Sequence, residues 1–318
     1  MKLNSKTIDA IREFVERGAS SGLDDVWWLR RGVAVVSVLG GRYVLKRPVV
    51  PGGPIGRLRR RVIGSISFDH ERHVNDQLNR HEYEHFKFPA MVLGSDKFLL
   101  FEYVEGEHRS DLEPIQARNL AKGLVEFQFH THGIRPGMRR RALSLFRPWN
   151  GHFRRQRAQR AAEHSGDPEL ARTAVRVVEE IERSVVPLPR PVLAHGDLNI
   201  GNVIFCGSGP YIIDFAAVTM SDRWLWNDIV WFSLPSSKFR IDTELLRAYA
   251  AELSELRLCS AEDLVRRLRY SLITRVVFLL CYVDMSACGK MYREFFHDVL
   301  VSEAAFRNWI GELLPALR

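Results

Sequence analysis

The stretch from Val192 to Ala216 constrains this chain more than any other, because polar residues able to bind a metal or move a proton alternate there with short apolar runs. Val192 to Ala194 reads as one strand and Val203 to Phe205 as a second. Gly207 to Pro210 reads as a turn, and Tyr211 to Ile213 as a third strand that delivers Asp214 at its end. The loop between the first two strands is His195-Gly-Asp197-Leu-Asn-Ile-Gly-Asn202. Taken singly, Asp197 and Asn202 are ordinary turn formers and Asp214 an ordinary strand-end residue. All three at this spacing, between apolar strands, point to chemistry instead.

Phosphoryl transfer from a nucleotide asks little covalent help of a protein. It asks for a base beside the attacking hydroxyl and for oxygen ligands that hold magnesium against the phosphates. His-x-Asp-x4-Asn followed by Asp-Phe supplies those parts, with Asp197 taking or orienting the hydroxyl proton and Asn202 and Asp214 holding the metal. Gly196 lets the backbone turn tightly beside the base. The stretch resembles the kinase-like phosphotransferases, specifically the aminoglycoside phosphotransferase and choline kinase group, which carry His-Gly-Asp where protein kinases carry His-Arg-Asp. The resemblance implies that Asp197 is the catalytic base and that Asn202 and Asp214 are the metal ligands. At Ala216, where Gly would complete Asp-Phe-Gly, the chain departs from the protein-kinase pattern, which argues against a mobile activation segment.

Upstream, residues 5 to 17 place Ile8, Ile11, Phe14 and Val15 at helical spacing. From Val26 to Lys46 the period becomes that of strands, with turns at Arg30-Arg31-Gly32 and Gly40-Gly41, and three antiparallel strands are expected. The loop over the phosphates, glycine-rich in kinases, offers only Gly32. Lys46 ends Tyr43-Val-Leu-Lys46, the context of the family's phosphate-pairing lysine, and needs a carboxylate to aim it. Glu71, on the helical stretch 68 to 78, is the candidate, with Asp69 and Glu82 as alternatives. Phe88 to Leu93 and Lys97 to Val104 read as two further strands. The second ends in Phe101-Glu102-Tyr103-Val104, which looks like the hinge of the kinase-like fold. There the Glu102 carbonyl and Val104 amide would meet the adenine edge and Phe101 would border the pocket.

Beyond the hinge the pattern is helical apart from the catalytic strands. His130 and His132 lack metal partners at fixed spacing and fit a helix end. Asp228, in Asp222-Arg-Trp-Leu-Trp-Asn-Asp228, suits the position of the family's brace for the catalytic loop, a structural role. Helices are expected over Thr243 to Leu256, from Ser260 to about Asp284, and from Tyr292 to Leu314.

The implied fold is α+β, a two-lobed protein-kinase-like architecture. A small antiparallel β-sheet lobe, residues 1–104 with the hinge, precedes a larger, mainly helical lobe, residues 105–318. The implied activity is Mg-ATP-dependent phosphorylation of a hydroxyl on a small molecule, with ATP and Mg2+ as cofactors. At 318 residues the chain is long enough for both lobes. The first residues lack the apolar core of a secretion signal. Val276 to Val283 is too short to span a bilayer, and the four cysteines show no paired spacing, so reduced cytoplasm is the expected compartment.

The formal charge of +8 gathers on arginines, in Arg57 to Arg61 and in an acid-free stretch from Arg135 to Ala162 interleaved with Phe146, Trp149 and Phe153. Such a stretch could hold a substrate phosphate, lie on an anionic membrane surface or bind nucleic acid, and a solvated helix face fits equally. A basic surface suits an anionic acceptor, such as an acidic or phosphorylated sugar or a lipid-linked glycan, better than a cationic one. Two rival readings remain: a non-catalytic kinase-like module that binds nucleic acid or lipid, and a protein kinase. The intact Lys46, Asp197, Asn202 and Asp214 set weighs against the first, and Gly196 and Ala216 against the second.

Overall fold

The computed structural model describes residues 5–17, 22–30, 32–48, 68–130, 151–221, 225–235, 239–281 and 287–314. The Arg57–Arg61 loop, His132, the arginines from 135 to 147, and Asp222 lie outside them.

Helix α1 (Ser5–Arg17) buries Thr7, Ile11, Phe14 and Val15, positions that share one face of a helix. It covers the antiparallel strands β1 (Asp25–Arg30), β2 (Val33–Val38) and β3 (Gly41–Lys46). With β4 (Met91–Gly94) and β5 (Leu99–Glu102) these form one five-stranded sheet in the order β1-β2-β3-β5-β4. Because side chains alternate across a strand, Val36, Tyr43, Leu45 and Leu100 pack against α1. Val44, Leu99 and Phe101 take the other face, joined by Phe68 from helix α2 (residues 68–78). β4 and β5 are shorter than the sequence suggests, with a register shift between Met91 and Leu93.

The helical part comprises α3 (Pro114–His130), α4 (Gly151–Ser165), α5 (Pro168–Ser184), α6 (Asn227–Ser233), α7 (Thr243–Glu255), α8 (Ala261–Leu280), α9 (Ala287–Phe295) and α10 (Glu303–Leu313). Asp167, Asp242, Ser260 and Ser302 cap α5, α7, α8 and α10 by accepting a backbone N–H in the first turn. The region expected to be helical from Tyr292 to Leu314 is divided, since a π-turn at Phe296–Leu300 and the Ser302 cap separate α9 from α10. The large core includes Trp226, Tyr249, Leu268, Phe296 and Phe306, all essentially inaccessible. Among the described residues no helix is long and apolar enough to cross a membrane.

Between these parts run two small antiparallel pairs. β6 (Val192–Ala194) pairs with β9 (Thr219–Ser221), and β7 (Val203–Cys206) pairs with β8 (Gly209–Ile212). The turn of the second pair is tighter than expected: Gly209 and Pro210 already lie in β8, opposite Cys206 and Phe205. The β6–β9 pairing was not legible in the sequence. It brings the chain after Asp214 straight back beside the strand that leads into the His195–Asn202 loop, which leaves little length for an activation segment.

Candidate active site

Lys46 is the last residue of β3, and strand alternation puts its side chain on the face that carries Val44. That face walls a cavity of about 410 Å³, with Leu29, Val35, Phe101, Ile204 and Ile213 supplying much of its apolar surface. Glu102 and Val104 also line it, and Lys46, Glu71 and Asp214 form a polar cluster among its lining residues. Lys46 Nζ donates to both carboxylate oxygens of Glu71, at 2.6 and 2.7 Å, and to Asp214 Oδ1 at 2.8 Å. Burial alone would depress the ammonium's pKa, but Glu71 and Asp214 outweigh it and raise the value above that of ordinary lysine. Of the three candidate carboxylates the structure selects Glu71, which is buried on α2; Asp69 lies 3.7 Å from Arg72, and Glu82 is exposed.

Asp214 adopts φ +68° and ψ +66°, a left-handed conformation sparsely populated by residues other than glycine. The next residue holds it there. Phe215 is buried, with ring centroids 5.5 Å from His195, 5.9 Å from Phe127 and 6.1 Å from Phe86. Asn202 is placed beside Asp214 by the bond from Ile213 N to Asn202 O, 3.0 Å.

The loop before Asn202 is pinned from below. Asp228, fully buried at the start of α6, accepts His195 N–H at 2.7 Å and Gly196 N–H at 2.9 Å, one on each oxygen. Gln128 Nε2 reaches the same carboxylate at 3.4 Å, and Tyr249 O–H donates to Gln128 in turn. His195 Nε2 meets Ile213 O at 2.9 Å, while its Nδ1 accepts Asp197 N–H at 3.4 Å. This arrangement fits the neutral ring protonated on Nε2. Gly196 has φ +81°, and a Cβ on it would lie 2.5 Å from Ala217 O. No other side chain fits there, so the His-Gly-Asp form follows from the close return of the chain after Phe215.

Asn202 Nδ2 donates to Asp197 O at 2.7 Å and approaches Asp197 Oδ2 at 3.5 Å. Asn199 Nδ2 reaches Asp197 Oδ1 and Asp197 O, both at 3.2 Å, while its Oδ1 accepts Gly201 N–H at 2.9 Å. Burial raises the Asp197 pKa and the Asp214 charge adds to that, against the Asn199 hydrogen bond and the charge of Arg275. The result is a stronger base than an exposed aspartate. Neither Asp197 nor Asn202 lines the apolar cavity. Gly201 of the loop does line it, as does Asp214, which follows β8.

Lys46, Glu71, Asp214, Asn202 and Asp197, distant in the chain, thus converge, with Glu102 and Val104 among the residues that line the cavity. Residues 19–264 match the sequence profile of the phosphotransferase enzyme family. The chain belongs to that family. It is accordingly an ATP-dependent phosphotransferase that acts on a hydroxyl of a small molecule, with Mg-ATP as cofactor. Solved structures share the fold. An AMP-bound spectinomycin phosphotransferase superposes with a TM-score of 0.56 at 15% identity, over 94% of this chain and 97% of the other. A choline kinase from Cryptosporidium parvum gives 0.54 at 12% identity over 99% of both chains. An ethanolamine kinase from Plasmodium vivax gives 0.52 at 14%, over 95% of this chain and 89% of the other. No curated protein sequence matches the chain.

The residues present fit this cofactor. A cavity of this volume with mostly apolar walls and a few convergent polar groups suits a nucleotide base. Magnesium takes hard oxygen donors and is commonly held by one or two protein groups together with substrate phosphates. Asn202 spends its amide nitrogen on Asp197, which leaves its Oδ1 for a cation.

Sequence reasoning missed Asn199, Gln128 and Tyr249. Asn199 had a signal, since Asn two residues from Asp commonly bonds locally. The others are brought in by packing across about a hundred residues, which no local pattern records.

Proposed function

We propose that Asp197 is the general base of the reaction, that Asn202 and Asp214 hold magnesium, and that Lys46, aimed by Glu71, binds the nucleotide phosphates. The observation that carries this reading is the single network joining Glu71, Lys46 and Asp214, next to a catalytic loop held by Asp228. Bound Mg-ATP supplies the transferable phosphoryl group and the charge neutralisation that its departure requires. Asp197 would accept the proton of the acceptor hydroxyl as that oxygen bonds to the transferred phosphorus and the bond from that phosphorus to the departing ADP oxygen breaks. Burial suits it to this by strengthening its basicity. The Glu102 carbonyl and Val104 amide pair with the adenine edge, and Phe101 borders it. The lobes divide after residue 104, in the cytoplasm.

For the acceptor we infer an anionic small molecule, such as an acidic or phosphorylated sugar, or a lipid-linked glycan met at an anionic membrane surface. The net charge of +8 and the arginine stretch that runs into α4 support it. Mg-ATP with a panel of neutral, cationic and anionic sugars tests both levels, with ADP release as the readout. Asp197→Asn is expected to lower the rate by about 10²–10⁴, the usual share of a positioned base. Unchanged turnover in that variant removes Asp197 from its role, and consumption of cationic acceptors alone removes the anionic reading.

A further inference from the structure

Most polar side chains that line the nucleotide cavity are already engaged. Lys46 bonds Glu71 and Asp214, Asn75 Nδ2 donates to Glu71 O at 2.8 Å, and the Arg42 guanidinium lies 4.5 Å from the centre of the Tyr103 ring. Glu102 pairs with Tyr43 across the sheet, so strand alternation turns its side chain to the face that α1 covers. His108 differs. It lines the same cavity and is exposed, and its Nδ1 meets Val203 O at 2.8 Å. A carbonyl oxygen only accepts, so Nδ1 carries the proton, and Nε2 of the neutral ring is an acceptor. Among the described residues nothing donates to that nitrogen.

The course of the chain after Val104 sets where His108 stands along the cavity. Gly106 passes so close to β7 that a Cβ on it would lie 2.4 Å from Phe205 O. Glu107 and Phe205 then exchange backbone hydrogen bonds of 3.0 and 2.8 Å. His108 is thereby laid along β7, and its Nδ1 bond seats it on Val203, the residue after Asn202. Gly201 and Ile204, on either side of that pair, both line the cavity. His108 is therefore bracketed, with Glu102 and Val104 on the chain before it and Asn202 beside its anchor. In a nucleoside triphosphate the ribose alone separates base from phosphates, and its 2′- and 3′-hydroxyls are hydrogen-bond donors. An exposed acceptor between the two ends of the cavity matches them.

We propose that His108 binds the ribose of the nucleotide, its Nε2 accepting a hydrogen bond from the 2′- or 3′-hydroxyl, and so selects against nucleotides that lack that hydroxyl. This rests on the reading that puts the base at Glu102 and Val104 and the phosphates at Lys46, Asn202 and Asp214. The Val203 bond holds the ring before the nucleotide arrives, which cuts the ordering cost of the contact.

The test is calorimetric titration of the full chain, with magnesium and without acceptor, by ADP, 2′-deoxy-ADP and 3′-deoxy-ADP. Wild type is expected to bind ADP about three- to tenfold more tightly than at least one deoxy analogue, the worth of one hydrogen bond between neutral groups. His108→Phe, which keeps a ring and loses both nitrogens, should weaken ADP by that factor and leave the discriminated analogue unchanged, so that the preference disappears. A histidine that only shaped the pocket would instead weaken all three nucleotides alike and keep the ratio. His108→Gln, which carries an amide oxygen on a side chain of similar reach, should restore part of the preference. Should His108→Phe bind none of the three, His108→Leu takes its place under the same criterion. Discrimination against the 2′- or the 3′-deoxy analogue upholds the proposal and says which hydroxyl is held. Equal binding of all three by wild type, or a preference that survives the loss of the imidazole, overturns it. If wild type binds no nucleotide at all, the failure lies with the phosphotransferase assignment instead.

Discussion

Asp228→Ala should both loosen and silence this enzyme. The carboxylate is fully buried and receives two backbone N–H groups, from His195 at 2.7 Å and Gly196 at 2.9 Å. Removing it strands two donors in the interior, each costing about 1–3 kcal/mol when left unpaired, so a loss of about 2–6 kcal/mol is expected. Against a typical domain stability of about 5–15 kcal/mol, that is a large fraction. Activity should fall further than stability explains, because Asp197 is one residue beyond the released amides. Asp228→Asn keeps one acceptor oxygen and presents an N–H to the other donor, so its loss should lie between wild type and Asp228→Ala. Urea unfolding gives the free energies, and phosphoryl transfer measured where each variant is fully folded gives the rates. A loss under about 0.5 kcal/mol for Asp228→Ala, with turnover unchanged, would show that this carboxylate does not set the catalytic loop.

Three further outcomes follow from the same geometry. Lys46→Met leaves Glu71 buried without its cation and should cost on the order of 3 kcal/mol, while Lys46→Met with Glu71→Leu should recover most of that stability but not ATP binding; a double-mutant cycle with no coupling contradicts it. Because the native pKa of Asp197 lies above its unfolded value, its contribution to stability is greatest below the unfolded pKa and falls as pH rises through the native one. At pH 7 Asp197→Asn should therefore melt higher than wild type, with the gap closing below about pH 4, and a lower melting temperature at pH 7 is the contrary result. Gly196→Ala should destabilise by more than about 1 kcal/mol and cut activity, since the added Cβ meets Ala217 O at 2.5 Å; thermal melts and rates equal to wild type would contradict this.

What was readable in the sequence was whatever is written locally. Strand alternation fixed the side of the sheet on which Lys46 falls, and turn residues around His195 to Asn202 marked the catalytic loop. Asp228 was anticipated from its place in Asp222-Arg-Trp-Leu-Trp-Asn-Asp228. The choice of Glu71 over Asp69 and Glu82 needed the structure, because three acids within one region are equivalent until α2 is docked on the sheet. The β6–β9 pairing escaped notice because three-residue strands carry too little pattern to separate from loops. The burial of Arg275 escaped because it stands at the edge of the apolar run Val276 to Val283 and bonds Leu234 O, 41 residues earlier in the chain.

The central claim is that Lys46, Asp197 and Asp214 act on one nucleotide as a unit, and its most direct test is the rate of phosphoryl transfer from Mg-ATP in single and combined variants. Lys46→Met, Asp197→Asn and Asp214→Asn should each lower kcat/KM by about 10²–10⁴, and the triple variant should be scarcely worse than the weakest single one, as groups acting together are strongly non-additive. Losses that multiply as though the three were independent, or any single variant that keeps wild-type turnover, would contradict the account.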